Sequence, residues 1–277
     1  MPVHPAIAPG NVALVTGGAS GIGLAAAQRL AAEGMRVVVA DIDAAELSNA
    51  AEILGSAAET ARVDVSDRGA VEALAARIAG EFGPLSVLMN NAGVGGGGDA
   101  LSNPEGWQRV LGVNLMGVLH GVQAFVPSMV ESDQPGLVIN TGSKQGVTQP
   151  PGDTAYNVSK SGVKALTEGL AHSLREATGG RVTAHLLVPG FTFTGMTRRF
   201  AAEKPPAAWT PDQVIDTMLE GIERGAFYLW CQDNETDWET DRKRVLWNAG
   251  DIAEGRPALS RWHPDYKDAF ARFLAQD

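Results

Sequence analysis

The 277-residue chain is 44% hydrophobic and 19% charged, an ordinary globular balance with enough length for one large core. Its formal net charge of −10 excludes the broadly cationic surface that nucleic acid or an anionic membrane would require of a partner. The single cysteine, Cys231, excludes an internal disulfide framework and any multi-cysteine metal site.

The opening "MPVHPAIAPG" does not read as a secretory signal, and no apolar run approaches the roughly 20 residues that would span a bilayer. A cytoplasmic protein in a reducing compartment is expected. Along the chain, short β-branched runs alternate with longer Ala- and Leu-rich segments. The predicted strands are 11–17, 36–41, 60–65, 85–90, 136–142, 181–190 and 225–230. Each is continuously apolar rather than alternating, as strands buried on both faces are. Helices are predicted between them at about 21–33, 44–54, 69–82, 104–131, 154–177 and 211–224. This alternation implies right-handed crossovers and a parallel sheet covered on both sides. Residues 1–230 therefore read as one doubly wound α/β domain, with a polar, aromatic-spotted extension over 231–277.

"TGGASGIG", Thr16 to Gly23, follows the first strand and opens the first helix. A dinucleotide pyrophosphate needs that context: glycines admit the phosphates and the helix N-terminus offers unpaired N–H groups. Asp41 closes the second strand, where an acid would bond the adenosine ribose of NAD and repel a 2′-phosphate. The competing job, capping the next helix, suits Asp43 better. Ser20 and Ile42 stand where a phosphate-binding cation might sit, so NAD is favoured over NADP, with Arg36 nearby as the reservation.

These motifs, with others in the same order, resemble the short-chain dehydrogenase/reductase family from about residue 10 to 230. The turn matches its TG-x-x-x-G-x-G pattern, which implies cofactor contacts at Gly17, Ser20, Gly21, Ile22 and Gly23, with Asp41 and Ile42 beyond them. Asp64 and Val65 are similar to the pair that holds the adenine. "NNAG" resembles the motif after the fourth strand and implies Asn91, Ala92 and Gly93. "PGFTFT" is similar to the loop meeting the nicotinamide carboxamide and implies Pro189, Gly190, Thr192 and Thr194. Asn114, Ser143, Tyr156 and Lys160 fall where the family keeps its catalytic set, the last two as Y-x-x-x-K. The resemblance implies a seven-stranded sheet of order 3-2-1-4-5-6-7, no metal, and a homo-oligomer, tetramer or dimer, packed through helices 104–131 and 154–177.

Tyr156 and Lys160, four apart on a helix, share one face. A free phenol has a pKa near ~10, too high for a base at neutral pH. A neighbouring ammonium and a positive nicotinamide ring would both favour phenolate. Tyr156 is thus the expected proton carrier of alcohol oxidation and ketone reduction, with Ser143 orienting the substrate oxygen. By resemblance Lys160 also bonds the nicotinamide ribose, and Asn114 holds a water that links Lys160 to solvent. A non-catalytic NAD-binding regulator and a nucleotide-sugar epimerase or dehydratase remain the other readings. The first would not need the phenol; the second usually carries a different glycine turn and a larger C-terminal domain.

Ser143, Gln145, Tyr156, Phe191 and Met196 are the expected substrate contacts, with Gly95, Asp153, Phe200 and Trp209 nearby. Their apolar and aromatic character suits a neutral, fairly large or aromatic alcohol or ketone, unless Lys144 reaches an acidic group. The five histidines lack close metal-ligand spacing. Cys231 reads as a small buried residue, and 232–241 as a solvated acidic face. Four of the six tryptophans lie in the extension, which must therefore pack on something. Helices are expected at 241–250 and 263–275, packed on the same domain or a neighbouring subunit, with a subunit interface favoured over a lid on the chain's own pocket.

Overall fold

The β-branched runs form one parallel sheet of seven strands in a computed structural model that describes residues 4–197 and 203–276. The strands are β1 (Val12–Thr16), β2 (Arg36–Asp41), β3 (Ala58–Arg62), β4 (Leu85–Asn90), β5 (Gly136–Thr141), β6 (Val182–Val188) and β7 (Tyr228–Trp230). Their order, β3-β2-β1-β4-β5-β6-β7, is the expected one, and the fold is the doubly wound Rossmann type. Successive residues of β1 serve opposite faces: Ala13 and Val15 join one core, Val12 and Leu14 the other. All four are buried, which is why the run shows no polar alternation.

The first core is covered by α1 (Gly21–Ala32), α2 (Ala44–Leu54) and α8 (Pro211–Glu223). The second is covered by α3 (Arg68–Glu81), α5 (Gly117–Glu131) and α7 (Thr154–Thr178). Asp43 caps α2 by accepting from the Ala45 and Glu46 amides, which leaves Asp41 to other work. Predicted strand 60–65 begins and ends early, because Asp64 turns the chain by accepting from the Ser66 amide and hydroxyl.

The predicted helix 104–131 is α4 (Pro104–Leu111), a π-helical turn (Gly112–Met116) and α5 in unbroken succession. Contrary to the expectation that no segment could span a bilayer, this stretch is long and apolar enough by length and composition. In the fold it lies along the sheet, with Val118, Val122, Phe125, Val126 and Met129 buried in the core.

The extension departs most from expectation. β7 is parallel to β6, pairing Trp230 with Val188, so the chain leaves it at the same edge as Pro189. There α9 (Trp238–Ala253) packs on the short helix α6 (Gln145–Thr148) of the same chain. A parallel last strand delivers the tail to the ligand edge of its own chain, the same-domain packing that was one of its two expected places. Most of the acidic segment is the expected solvated face, with Glu235, Asp237 and Glu239 exposed, but Asp241 departs from it at only 2% exposed. Asp237 starts α9 earlier than expected by capping Thr240, and the helix runs past Gly250. Trp247 is buried against Phe270 and Phe273 of α10 (Lys267–Leu274), with ring centroids 5.2 Å away in each case.

The close seat of α1 on the sheet depends on Gly23, where a Cβ would lie 2.1 Å from the Gly17 carbonyl oxygen. Gly23→Ala should therefore lower unfolding stability by ~2 kcal/mol or more, measured by urea denaturation.

Candidate active site

The C-terminal ends of the strands line a single long cavity of about 1140 Å³. That exceeds the ~300–1,000 Å³ of ordinary small-molecule pockets and leaves room for a dinucleotide with a substrate beside it. At its centre Gly17 turns with φ +60°, and a Cβ there would strike the Ala92 backbone at 2.6 Å. Asn91 ties this turn to the sheet: its Nδ2 donates to the Gly17 carbonyl and its Oδ1 accepts from the Thr141 hydroxyl. Helix α1 begins at the cavity with no side-chain cap on its N-terminus and no acid in its first turn. Free amides and the positive end of the helix dipole thus face the space where a pyrophosphate would lie.

Asp41 lies at one end of the cavity, its carboxylate accepting from the amides of Ala19 (3.2 Å), Ile42 (2.8 Å) and Asp43 (3.2 Å). Arg36, the feared phosphate partner, starts β2 roughly 16 Å down the strand and stacks over Phe82 instead. Arg62 is the cation that sequence spacing did not reveal. Register sets its Cα opposite Asp41, and its Nε donates to the Ile42 carbonyl at 3.2 Å.

Ser20, Gly21, Ile22, Ile42, Asp64, Val65, Ala92, Gly93, Pro189, Gly190, Thr192 and Thr194 all border the same cavity. Gly23 does not, for it is buried behind the turn and serves packing rather than contact. Asn114 is also withdrawn. It is fully buried in the π-helical turn, and its amide bonds both the N–H and the carbonyl of Val94 while reaching the Ser159 hydroxyl. It shapes the wall by clamping Val94.

At the other end stand Ser143, Tyr156 and Lys160. Ser143 lies in the turn after β5, and its hydroxyl accepts from the Gln145 amide and lies beside the Tyr156 phenol. Lys160 is 3% exposed and donates to the Thr141 carbonyl at 2.8 Å. Its Nζ lies 5.7 Å from the Tyr156 ring centroid. Asp153 caps α7 and also holds the Gly96 and Gly97 amides, so the glycine run wraps around one carboxylate. Gln145, Phe191 and Met196 border this end as expected, and so does Arg109, whose guanidinium bonds the Gly95 and Gly96 carbonyls. Trp209 instead bridges Thr192 and packs on the core, while Phe200 lies outside the described residues. Among the described residues no cluster of three or more His, Cys, Asp or Glu could hold a metal ion.

A family model described as short chain dehydrogenase matches residues 11–205. The chain belongs to that family. It is 39% identical over 201 residues to galactitol 2-dehydrogenase (L-tagatose-forming) of Cereibacter sphaeroides, covering 71% of this chain and 76% of that one. It is 33% identical over 224 residues to 3-oxoacyl-[acyl-carrier-protein] reductase FabG of Thermotoga maritima, covering 79% and 85%. Among solved structures, a short chain dehydrogenase/reductase from Burkholderia phymatum in complex with NAD is similar with a TM-score of 0.66 and 35% identity. That likeness covers 95% of this chain and 92% of the other, and so reaches into the extension that the family model omits. The protein is thus an oxidoreductase of a family that acts on CH–OH groups with a nicotinamide cofactor, NAD or NADP.

The electrostatics of this short-chain dehydrogenase differ from expectation in one respect. Burial raises the Tyr156 phenol above its ordinary value; the Ser143 hydrogen bond lowers it and the Asp153 charge raises it further, and the net direction is upward. Lys160 does not reverse this, because burial pushes its own ammonium down to about 8. The protein alone therefore holds Tyr156 as a phenol. Cys231 is a buried thiol pushed up to about 12, unsuited to nucleophilic work.

The folded state carries the cost of a buried ammonium at low pH and escapes it as Lys160 deprotonates. The stability it subtracts is largest below about pH 8 and fades as pH rises toward 10.5, the ordinary lysine value. In the cofactor-free protein Lys160→Met should raise stability near pH 7 by up to ~3 kcal/mol, less ~1 kcal/mol for the orphaned Thr141 carbonyl. Urea unfolding from pH 7 to 10 should show that gain shrinking, while alcohol oxidation is lost throughout.

Proposed function

We propose that the protein transfers hydride between NAD(H) and a secondary alcohol or ketone. The observation that carries this reading is the convergence of Ser143, Tyr156 and the buried Lys160 on one cavity that is also large enough for a dinucleotide. The cofactor, when bound, accepts or returns the hydride. Its pyrophosphate would rest on the α1 N-terminus and its adenosine ribose against Asp41. The Tyr156 Oη takes the hydroxyl proton in oxidation and gives it back in reduction. The Ser143 Oγ hydrogen-bonds the same substrate oxygen and aligns it.

A neutral, fairly large or aromatic substrate is supported by Phe191, Met196 and the side-chain-free Gly95 and Gly96 along the wall. The cations there are engaged: Arg109 on two backbone carbonyls, and Lys144 with Asp233 and Asp241. Assembly as a tetramer or dimer through α5 and α7 is part of the same reading. The apolar stretch Pro104–Glu131 is only 39% buried within one chain, and Met116 and Val158 are exposed. A cytoplasmic location completes it, in keeping with one buried, unpaired cysteine.

Tyr156→Phe keeps ring and packing but removes the transferable proton. Turnover should fall by at least ~100-fold across a panel of secondary alcohols, with NAD affinity nearly unchanged. Substantial residual turnover would instead favour a regulator that binds the nucleotide without using the phenol.

NADP remains the second cofactor reading because Arg62 lies beside Asp41. Asp41→Ala with Ile42→Arg should move the ratio of catalytic efficiencies toward NADP, by removing a repulsive carboxylate and adding a phosphate partner. A preference for NADP in the unsubstituted protein would transfer the ribose end from Asp41 to Arg62.

A further inference from the structure

The residue after Ser143 is a lysine that borders the cavity, and its ammonium meets carboxylates of the extension. The Lys144 Nζ lies 3.1 Å from Asp233 Oδ2 and 2.5 Å from Asp241 Oδ2. The side chains of Lys144 and Asp233 are each 13% exposed and that of Asp241 3%. Asp241 also accepts from the Trp230 indole N–H at 3.0 Å and meets Arg244 at 3.5 Å. Two carboxylates and two cations thus form a largely buried cluster at the residue that follows Ser143, and the Arg261 guanidinium also lies within electrostatic reach of Asp241 and Arg244.

The backbone around Ser143 is held from two sides. On the sheet side, the Gly142 amide donates to the Leu187 carbonyl and the Lys144 amide to the Pro189 carbonyl. On the tail side, besides the ion pairs, Asn248 of α9 donates to the Val147 carbonyl at 3.1 Å. The cofactor-facing loop leans on the same ammonium. A Cβ at Gly190 would stand 2.9 Å from the Lys144 Nζ and 2.8 Å from the Gln232 carbonyl oxygen.

We propose that Asp241, with Asp233, is a positioning residue of the reaction: it acts through Lys144 to hold Ser143 where its hydroxyl meets Tyr156. The inference rests on the oxidoreductase reading above. A buried ion pair adds little net stability over an apolar contact of the same shape, because desolvation offsets the attraction. What it does supply is direction. An ammonium bracketed by two fixed carboxylates restricts the residue that carries it, and Ser143 is bonded to that residue. The extension is in this way a part of the active site that never touches substrate.

The test combines kinetics with hydrogen exchange on the full chain. Asp241→Asn should lower kcat by ~10-fold while the Kd for NAD stays within about twofold, the signature of misplaced chemistry rather than lost binding. In a Ser143→Ala background the same change should add less than about a further twofold, because its effect runs through a hydroxyl already gone. Deuterium uptake over residues 142–148 should rise in Asp241→Asn while uptake over 17–23 does not. An unchanged kcat and uptake, or losses that multiply in the double variant, would overturn the proposal. Should Asp241→Asn fail to fold, Asp233→Asn meets the same ammonium from a less buried position and must show the same split. If the unsubstituted protein turns over no alcohol, the functional reading fails, and uptake over 142–148 alone decides the positioning.

Discussion

All seven strands run in parallel, and that constraint brings every working part of the molecule to one edge. A parallel strand must be followed by a crossover before the next can pair, so each carboxyl end opens into a turn on the same side. Thr16 leads into the glycine turn, Asp41 ends β2, Asn90 leads to Asn91, and Thr141 leads to Ser143. Val188 leads to the Pro189 loop and Trp230 to the extension. Chemistry written far apart in the sequence meets because the pairing allows no other edge. The extension follows the same rule, which is why α9 arrives beside α6, the short helix that follows Ser143.

Two lysines at that edge show how burial divides labour between like side chains. Lys160 is buried without a carboxylate, bonded to a single carbonyl, and its ammonium is correspondingly weakened to about 8. Such a group is held ready for a partner that brings its own hydroxyls and charge. Lys144 is bracketed by two carboxylates, so its charge is spent within the protein. Both lysines border the cavity, but only the first does so without a carboxylate beside it. Tyr156, raised by burial, belongs with Lys160: both are poised against their charged forms, and a positive ring beside the phenol would favour its phenolate.

The sheet order, the cofactor turn, Asp43 as a cap and the Ser143–Tyr156–Lys160 constellation were legible because each is local or follows from strand alternation. Asp41 could be read from its place at a strand end. Arg62 could not, since only the β2–β3 register brings it opposite Asp41, twenty-one positions earlier in the chain. Gly23 and Asn114 carry the right motifs, yet they act by packing and by clamping backbone, roles that spacing alone does not separate from contact. The extension was misread for a physical reason. Asp233 and Asp241 looked solvated because their partner, Lys144, lies about ninety residues away, and the aromatic partners of Trp247, Phe270 and Phe273, are met only after a second turn of chain.

The central claim is that the protein holds Tyr156 as a phenol until a positive nicotinamide ring lies beside it. Absorbance titration of the phenol tests this directly, taken as the difference between the protein and its Tyr156→Phe variant. Without cofactor, Tyr156 should ionise above the ordinary 10.0. Saturating NAD⁺ should bring the midpoint down by at least ~1 pH unit, and NADH, which lacks the ring charge, should not. The same midpoint in all three states would contradict the account.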